Sequence, residues 1–206
     1  MAYLLSYPLD VLRLLGVHVL LTLGALLIAA LIALPLGWLL HQRRRLAAPV
    51  LGALGIIYTI PSIALIIFMI PLFGLNARSV LAALILYCQV ILVRNTLAGL
   101  DGVSPAVLEA ARGMGMSPAQ IAFRVQFPLA LPVILAGARI AAVTSVAIAT
   151  IGAKFGAGGL GVLLFDGITQ NRSDKIVLGS VLVGLLALAL NRGLLFLERR
   201  LSSYRK

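Results

Sequence analysis

The string Gly156-Ala157-Gly158-Gly159-Leu160-Gly161 matches G-x-G-x-x-G, the spacing with which glycines open a dinucleotide site. That chemistry needs a strand before the glycines and a helix after them, within a βαβ unit. Here a helix-length apolar run precedes them and Val162-Leu163-Leu164-Phe165 follows, so the nucleotide reading fails. The glycines Gly156, Gly158, Gly159 and Gly161 instead suit backbone at φ > 0 and close approach of helices or solute at the mouth of a bundle. ATP has no P-loop to bind: Lys154, Lys175 and Lys206 are the only lysines and none follows a glycine. His18 and His41 fall near opposite ends of one apolar run and cannot share a metal, so no metal site is expected. Cys88 stands alone, which excludes an intrachain disulfide. None of Asp10, Asp101, Glu109, Asp166, Asp174 or Glu198 falls mid-way along an apolar run, which argues against ion-coupled transport and leaves no catalytic residue to name. Arg139 does lie within such a run. It costs at least about 2.5 kcal/mol there unless paired or hydrated. Two readings stand: it snorkels to headgroups, or it faces the interior and lines a path.

The elements that must position these residues are membrane helices. The chain has 206 residues, 62% hydrophobic and 11% charged, with a mean hydropathy of +1.12, too little polar surface to coat a soluble fold. Backbone groups in lipid must be satisfied within each segment, and a helix needs about 20 apolar residues to cross. Five runs qualify, near Val17–Leu40, Ala48–Phe73, Ser79–Leu97, Leu129–Ile151 and Ile176–Leu197. The expectation is an all-α polytopic bundle of five spans forming a single domain, 1–206, with no soluble domain left over. Residues 1–16 are mildly amphipathic and suit the outer interface. The first run lacks the basic leader of a signal peptide and is kept as a span. Pro61, and again Pro71, should interrupt the second span. An ordinary kink and a path-lining break, with Thr59 and Ser62 supplying hydroxyls at the same depth, both remain open at this point.

A net charge of +11 would suit nucleic acid, but its distribution does not. Arg43, Arg44 and Arg45 follow the first span, Arg112 and Arg124 lie between the third and fourth, and Arg199, Arg200, Arg205 and Lys206 close the chain. Odd spans therefore end on the basic side, which the positive-inside rule puts in the cytoplasm, with the N-terminus outside. These residues set topology and meet lipid headgroups; no nucleic-acid partner is expected.

The polar break from Asp101 to Pro128 carries the densest local signals. Ser104-Pro105 reads as an N-cap with proline in the first turn. Gly113 and Gly115 offer stops, and Ser117-Pro118-Ala119-Gln120 repeats the start with a capping box. Two short helices hinged at Gly115 follow. On the first, Val107, Ala111 and Met114 share a face by helical spacing. The small residues Ala110 and Ala111 would let a partner approach the backbone, and Glu109 would offer it a carboxylate. A short interfacial helix that merely closes the bundle is the competing reading.

Glu109-Ala110-Ala111, with Gly115 and Pro128 at their distances, resembles the EAA loop of binding-protein-dependent ABC importer permeases. Those motifs usually end Ile-x-Leu-Pro; here Val125-Gln126-Phe127-Pro128 makes two apolar-for-apolar departures. The stretches Tyr58–Leu65, Val93–Thr96 and Thr150–Gly161 narrow the likeness to permeases of osmoprotectant importers, which handle glycine betaine, choline and carnitine. Lys154-Phe155 departs from the uncharged residues expected there.

The resemblance implies a type I importer permease. In that reading Val107, Glu109, Ala110, Ala111 and Gly115 dock a dimer of ABC ATPase subunits, which carry the ATP and magnesium. A second permease copy, identical or a sister chain, completes the path, and an extracytoplasmic solute-binding protein recognises the solute. Thr59, Pro61, Ser62, Arg139 and the glycine run would line the route by alternating access, in a bacterial or archaeal cytoplasmic membrane. The alternatives are the same architecture for another small solute such as an amino acid, or a channel or secondary transporter not driven by ATP.

Overall fold

The computed structural model describes residues 2–202, and among them only helices and the turns that join them. The basic residues Arg205 and Lys206 lie outside the described residues. In chain order the elements are α1 (Ala2–Ser6), α2 (Pro8–Gln42), α3 (Arg44–Thr59), α4 (Ser62–Phe73), α5 (Ala77–Asp101), α6 (Pro105–Gly113) and α7 (Pro118–Ile121). A π-helical turn (Ala122–Gln126) leads into α8 (Phe127–Gly152). A 3-10 turn (Ala153–Phe155), α9 (Gly161–Thr169) and α10 (Ser173–Ser202) complete the fold.

Four helical runs are long and apolar enough to cross a bilayer: α2, α5, the run Pro118–Phe155 that contains α8, and α10. The remaining expected span, second in chain order, is a pair, α3 and α4, bent by 98°. Proline explains the break: Pro61 has no N–H, and its ring excludes the residue before it from helical geometry. Ile60 is accordingly extended, at φ −67° and ψ 125°. Pro71, expected to interrupt the span again, stays inside the last turn of α4, where few helical bonds remain to be lost. The first sixteen residues also differ from expectation. Pro8 opens α2, a position that suits its fixed φ, so the helix begins nine residues before Val17.

The centre of the bundle is α5, set between α2 and α8. Asn76 caps it by accepting the Arg78 N–H at 2.8 Å. Lipid tails are as apolar as side chains, so helices here hold together by close packing rather than by escape from water. Ala25, Ala29 and Ala33 recur every fourth residue of α2 and are fully buried, and Gly37 continues the row. A Cβ at Gly37 would stand 2.6 Å from the Thr96 methyl of α5, so the row lets the two helices touch nearly backbone to backbone. Gln89 of α5 reinforces the contact by donating to the Ala29 carbonyl at 3.1 Å. Leu65, Ile66 and Met69 of α4 join Val80, Ala83 and Leu84 of α5 and Ile148 and Ala149 of α8 in one core cluster. Leu163 of α9 with Leu178 and Leu186 of α10 forms another around Val146.

Two ends of the bundle follow from these contacts. At one, the end of α2 meets the end of α5 and the start of α8, near Arg43–Arg45. At the other, the glycine run meets the start of α2 and the turn between α4 and α5.

Candidate coupling loop and solute path

Asp101 to Pro128 folds as two short helices at the basic end. Gly115 takes φ +76° with open space around it, so its absence of Cβ serves conformation alone. Its N–H bonds the Arg112 carbonyl at 2.9 Å while Met116 N–H reaches Ala111 O at 3.2 Å. These paired bonds are a Schellman cap, which ends α6 and turns the chain. Ser117 and Gln120 then form the capping box that starts α7: Gln120 N–H donates to Ser117 Oγ at 3.4 Å, and Ser117 N–H to Gln120 Oε1 at 2.8 Å. Ser104 opens α6 without a side-chain cap bond; Pro105 in the first turn sets its geometry.

The outward face of α6 differs in one residue from helical spacing alone. Val107 is 41% exposed and Met114 74%, and Glu109 and Ala110 are exposed beside them. Ala111 is 1% exposed: α6 leans on α7 and the π turn, and Ala111 is buried within its own chain. Phe123 of the π turn adds a further apolar side chain, 72% exposed, to this end.

The two roots of this loop converge on one imidazole. His41 donates from Nδ1 to Asp101 Oδ1 at 2.6 Å, and Gln126 Nε2 stands 3.2 Å from His41 Nε2. A neutral ring protonated on Nδ1 satisfies both bonds. Arg44 donates to the other Asp101 oxygen. Trp38 lies against His41 at 5.8 Å and Phe127 at 5.2 Å between ring centroids. The π turn aims Gln126 inward: Pro128 has no N–H to give, and Phe127 N–H reaches back five residues to Ala122 O.

At the broken span, the hydroxyl of Tyr87 on α5 donates to the Ile60 carbonyl that the break frees. Tyr58 meets Tyr87 edge-on at 5.6 Å. Thr59 Oγ1 donates to Ile56 O at 2.7 Å, so its hydroxyl is engaged with its own helix. Thr59 and Pro61 are exposed, Ser62 is half-buried, and α3 has no buried residue along its whole length.

The glycine run is a tightly packed turn. Gly156, Gly158 and Gly159 take φ between +72° and +81°. A Cβ at Gly161 would fall 2.0 Å from the Thr150 carbonyl, so only glycine fits there. Fully buried His18 clamps the turn: Leu160 N–H donates to its Nδ1 at 3.1 Å, and its Nε2 donates to Val146 O at 3.2 Å. A depression of about 380 Å³ beside the run is lined by Asp10, Arg13 and Val17. Lys154 sits 4.8 Å over the Phe165 ring, which gives the unexpected Lys154-Phe155 pair a cation–π partner.

Arg139 is not alone. Its guanidinium lies 3.4 Å from Glu198 Oε2 of α10, although Arg139 Nε and that oxygen lack hydrogen bonds. The residues expected to line one path therefore stand at three places: Thr59, Pro61 and Ser62 at the break, the glycines at the opposite end from the loop, and Arg139 against α10. Sequence reasoning missed His18 and His41 as structural centres. Their partners lie 128 and 142, and 60 and 85, residues away.

Comparison with known proteins places this architecture. Residues 16–203 match the family model described as binding-protein-dependent transport system inner membrane component. The choline transport system permease protein OpuBB of Bacillus subtilis (strain 168) is 36% identical over 90% of this chain and 85% of its own length. The carnitine transport permease protein OpuCB of Listeria monocytogenes is 37% identical over the same shares. The osmoprotectant import permease protein OsmW of Salmonella typhimurium is 42% identical over 80% of this chain and 79% of its own. Among solved structures, the MetNI methionine ABC transporter in an inward-facing conformation superposes with a TM-score of 0.77 at 26% identity, covering 89% of this chain and 94% of that one.

Proposed function

The chain belongs to the family of binding-protein-dependent transport system inner membrane components, and from that membership we propose that it forms the solute path of an ATP-driven importer of osmoprotectants such as glycine betaine, choline or carnitine. It is a multi-pass membrane transport subunit and not an enzyme. The observation that carries the reading is the Schellman-capped α6, which presents Val107, Glu109, Ala110 and Met114 outward at the basic end of the bundle. A dimer of ATPase subunits, holding ATP and magnesium, docks on that face; Gly115 sets its angle, and buried Ala111 anchors α6 to α7 and the π turn. The basic end faces the cytoplasm and the N-terminus the outside, as the positive-inside rule requires. A second permease copy and an extracytoplasmic binding protein complete the importer.

Solute recognition belongs chiefly to that binding protein, because a quaternary ammonium calls for clustered aromatic rings and this chain has one tryptophan, Trp38, and five tyrosines scattered along its length. Within the membrane, exposed Thr59, Pro61 and half-buried Ser62 border the route. Hydroxyls and carbonyls bind a zwitterion weakly enough to release it. Purified chain reconstituted in proteoliposomes with its ATPase and binding protein should take up radiolabelled glycine betaine, choline or carnitine when ATP is inside. Val107→Asp should abolish uptake and detach the ATPase while the chain remains in the membrane. Normal uptake in that variant removes the docking assignment; uptake of amino acids in place of these solutes removes the substrate class. Ser62→Phe should block uptake with the ATPase still attached, and normal uptake there moves the route elsewhere.

A further inference from the structure

Only Gly102, Val103 and Ser104 separate Asp101 from α6, and Gln126 closes the π turn that follows α7. Asp101 and Gln126 are thus the entry and exit roots of the loop, and both bond the same ring, His41 of α2. Asp101 is the last residue of α5, where a carboxylate opposes the helix dipole. Its place is accounted for by its partners, His41 in the last turn of α2 and Arg44 in the first turn of α3. Arg44 continues the connection into α3, which leads to the break at Pro61.

We propose that His41 is a positioning residue of the transport cycle: by bonding Asp101 and Gln126 together it ties both roots of the loop to α2, and through Asp101 and Arg44 to the broken span. This rests on the reading of α6 as the ATPase contact. A push on α6 against two independent roots would be absorbed by bending at Gly102 and in the π turn. With the roots tied, it moves the ends of α2, α3, α5 and α8 as one body.

The test measures glycine betaine taken up per ATP hydrolysed by the full importer in proteoliposomes. His41→Ala and Asp101→Ala should each lower this ratio about tenfold, within the range of measured coupling between sites. The double variant should lower it by much less than the product of the two, because each single change already breaks the one link between the roots, although Asp101→Ala also releases Arg44. His41→Asn keeps a donor near the Nδ1 position for Asp101 but falls short of Gln126, and His41→Gln does the reverse. Each should recover part of the ratio, and these milder changes keep the test open if the alanine variants fail to assemble. An unchanged ratio overturns the proposal. So does a fall in uptake and hydrolysis together at constant ratio, which marks a purely structural role. If Val107→Asp uncouples and the His41 variants do not, this inference alone fails. If Val107→Asp leaves docking and uptake intact, the contact reading fails and this inference with it.

Discussion

His18→Leu separates the hydrogen bonds of the glycine run from its packing. Leucine is close to histidine in volume, and the site is fully buried, so little cavity is expected. The two bonds lost are not equivalent. Val146 O keeps a side-chain donor, Thr150 Oγ1 at 2.8 Å, so it is not orphaned. Leu160 N–H donates to His18 Nδ1 and would be left buried without an acceptor. An unsatisfied buried donor costs about 1–3 kcal/mol. Because 1.4 kcal/mol is a factor of ten, local opening of the run should become roughly 5- to 150-fold more frequent. Hydrogen exchange of the purified protein reads this directly: peptides covering Leu160–Leu163 should exchange faster by that factor, while the core of α5 keeps its protection. His18→Gln, which retains an acceptor, should recover part of the difference. Unchanged exchange at Leu160 would refute the clamp. A uniform rise throughout the bundle would show that His18 supports the fold as a whole rather than this turn.

Gly115→Ala pays only the left-handed backbone penalty, about 1–2 kcal/mol, since nothing crowds the site; Gly115→Asn should pay less, and ATPase copurification should follow that order. Tyr87→Phe removes the donor to Ile60 O and should cost about 1–3 kcal/mol, with a broadened distance distribution between spin labels on α3 and α4. Arg139→Met and Glu198→Met should each lower thermal stability more than the two together, because a single change strands a partly buried charge. A cysteine at Ser173 should react with an impermeant thiol reagent on intact cells and one at Arg112 should not; the reverse pattern overturns the orientation.

What the sequence discloses here is what short-range physics decides. The cap at Gly115, the box at Ser117 and Gln120 and the proline at Pro61 act over three to five residues, and each is legible in the order of residue types. Apolar runs long enough to cross a bilayer are legible for the same reason. The 98° angle is not, because Pro61 marks only where a helix must stop, while Tyr87, on another helix, holds the freed carbonyl. The burial of Ala111 is decided by how α6 leans on its neighbours, which helical spacing cannot report. Arg139 looks solitary until α10 brings Glu198 beside it. The two histidines carry no local signal at all, since each is defined by partners that only the folded bundle assembles.

The broken span bears on how this protein enters the membrane. At 1.5 Å per residue, the 16 residues of α3 and the 12 of α4 reach roughly 24 and 18 Å, against a hydrocarbon core of about 30 Å. Neither half is a self-sufficient insertion signal, and the extended backbone at Ile60 and Pro61 would meet lipid with its carbonyl bare. That carbonyl finds its donor on α5, which is synthesised afterwards. The ribosome therefore emits the second span before the residue that makes it tolerable in lipid. Biogenesis should hold α3 and α4 at the translocon until α5 arrives, so that the three segments leave for the bilayer as one unit.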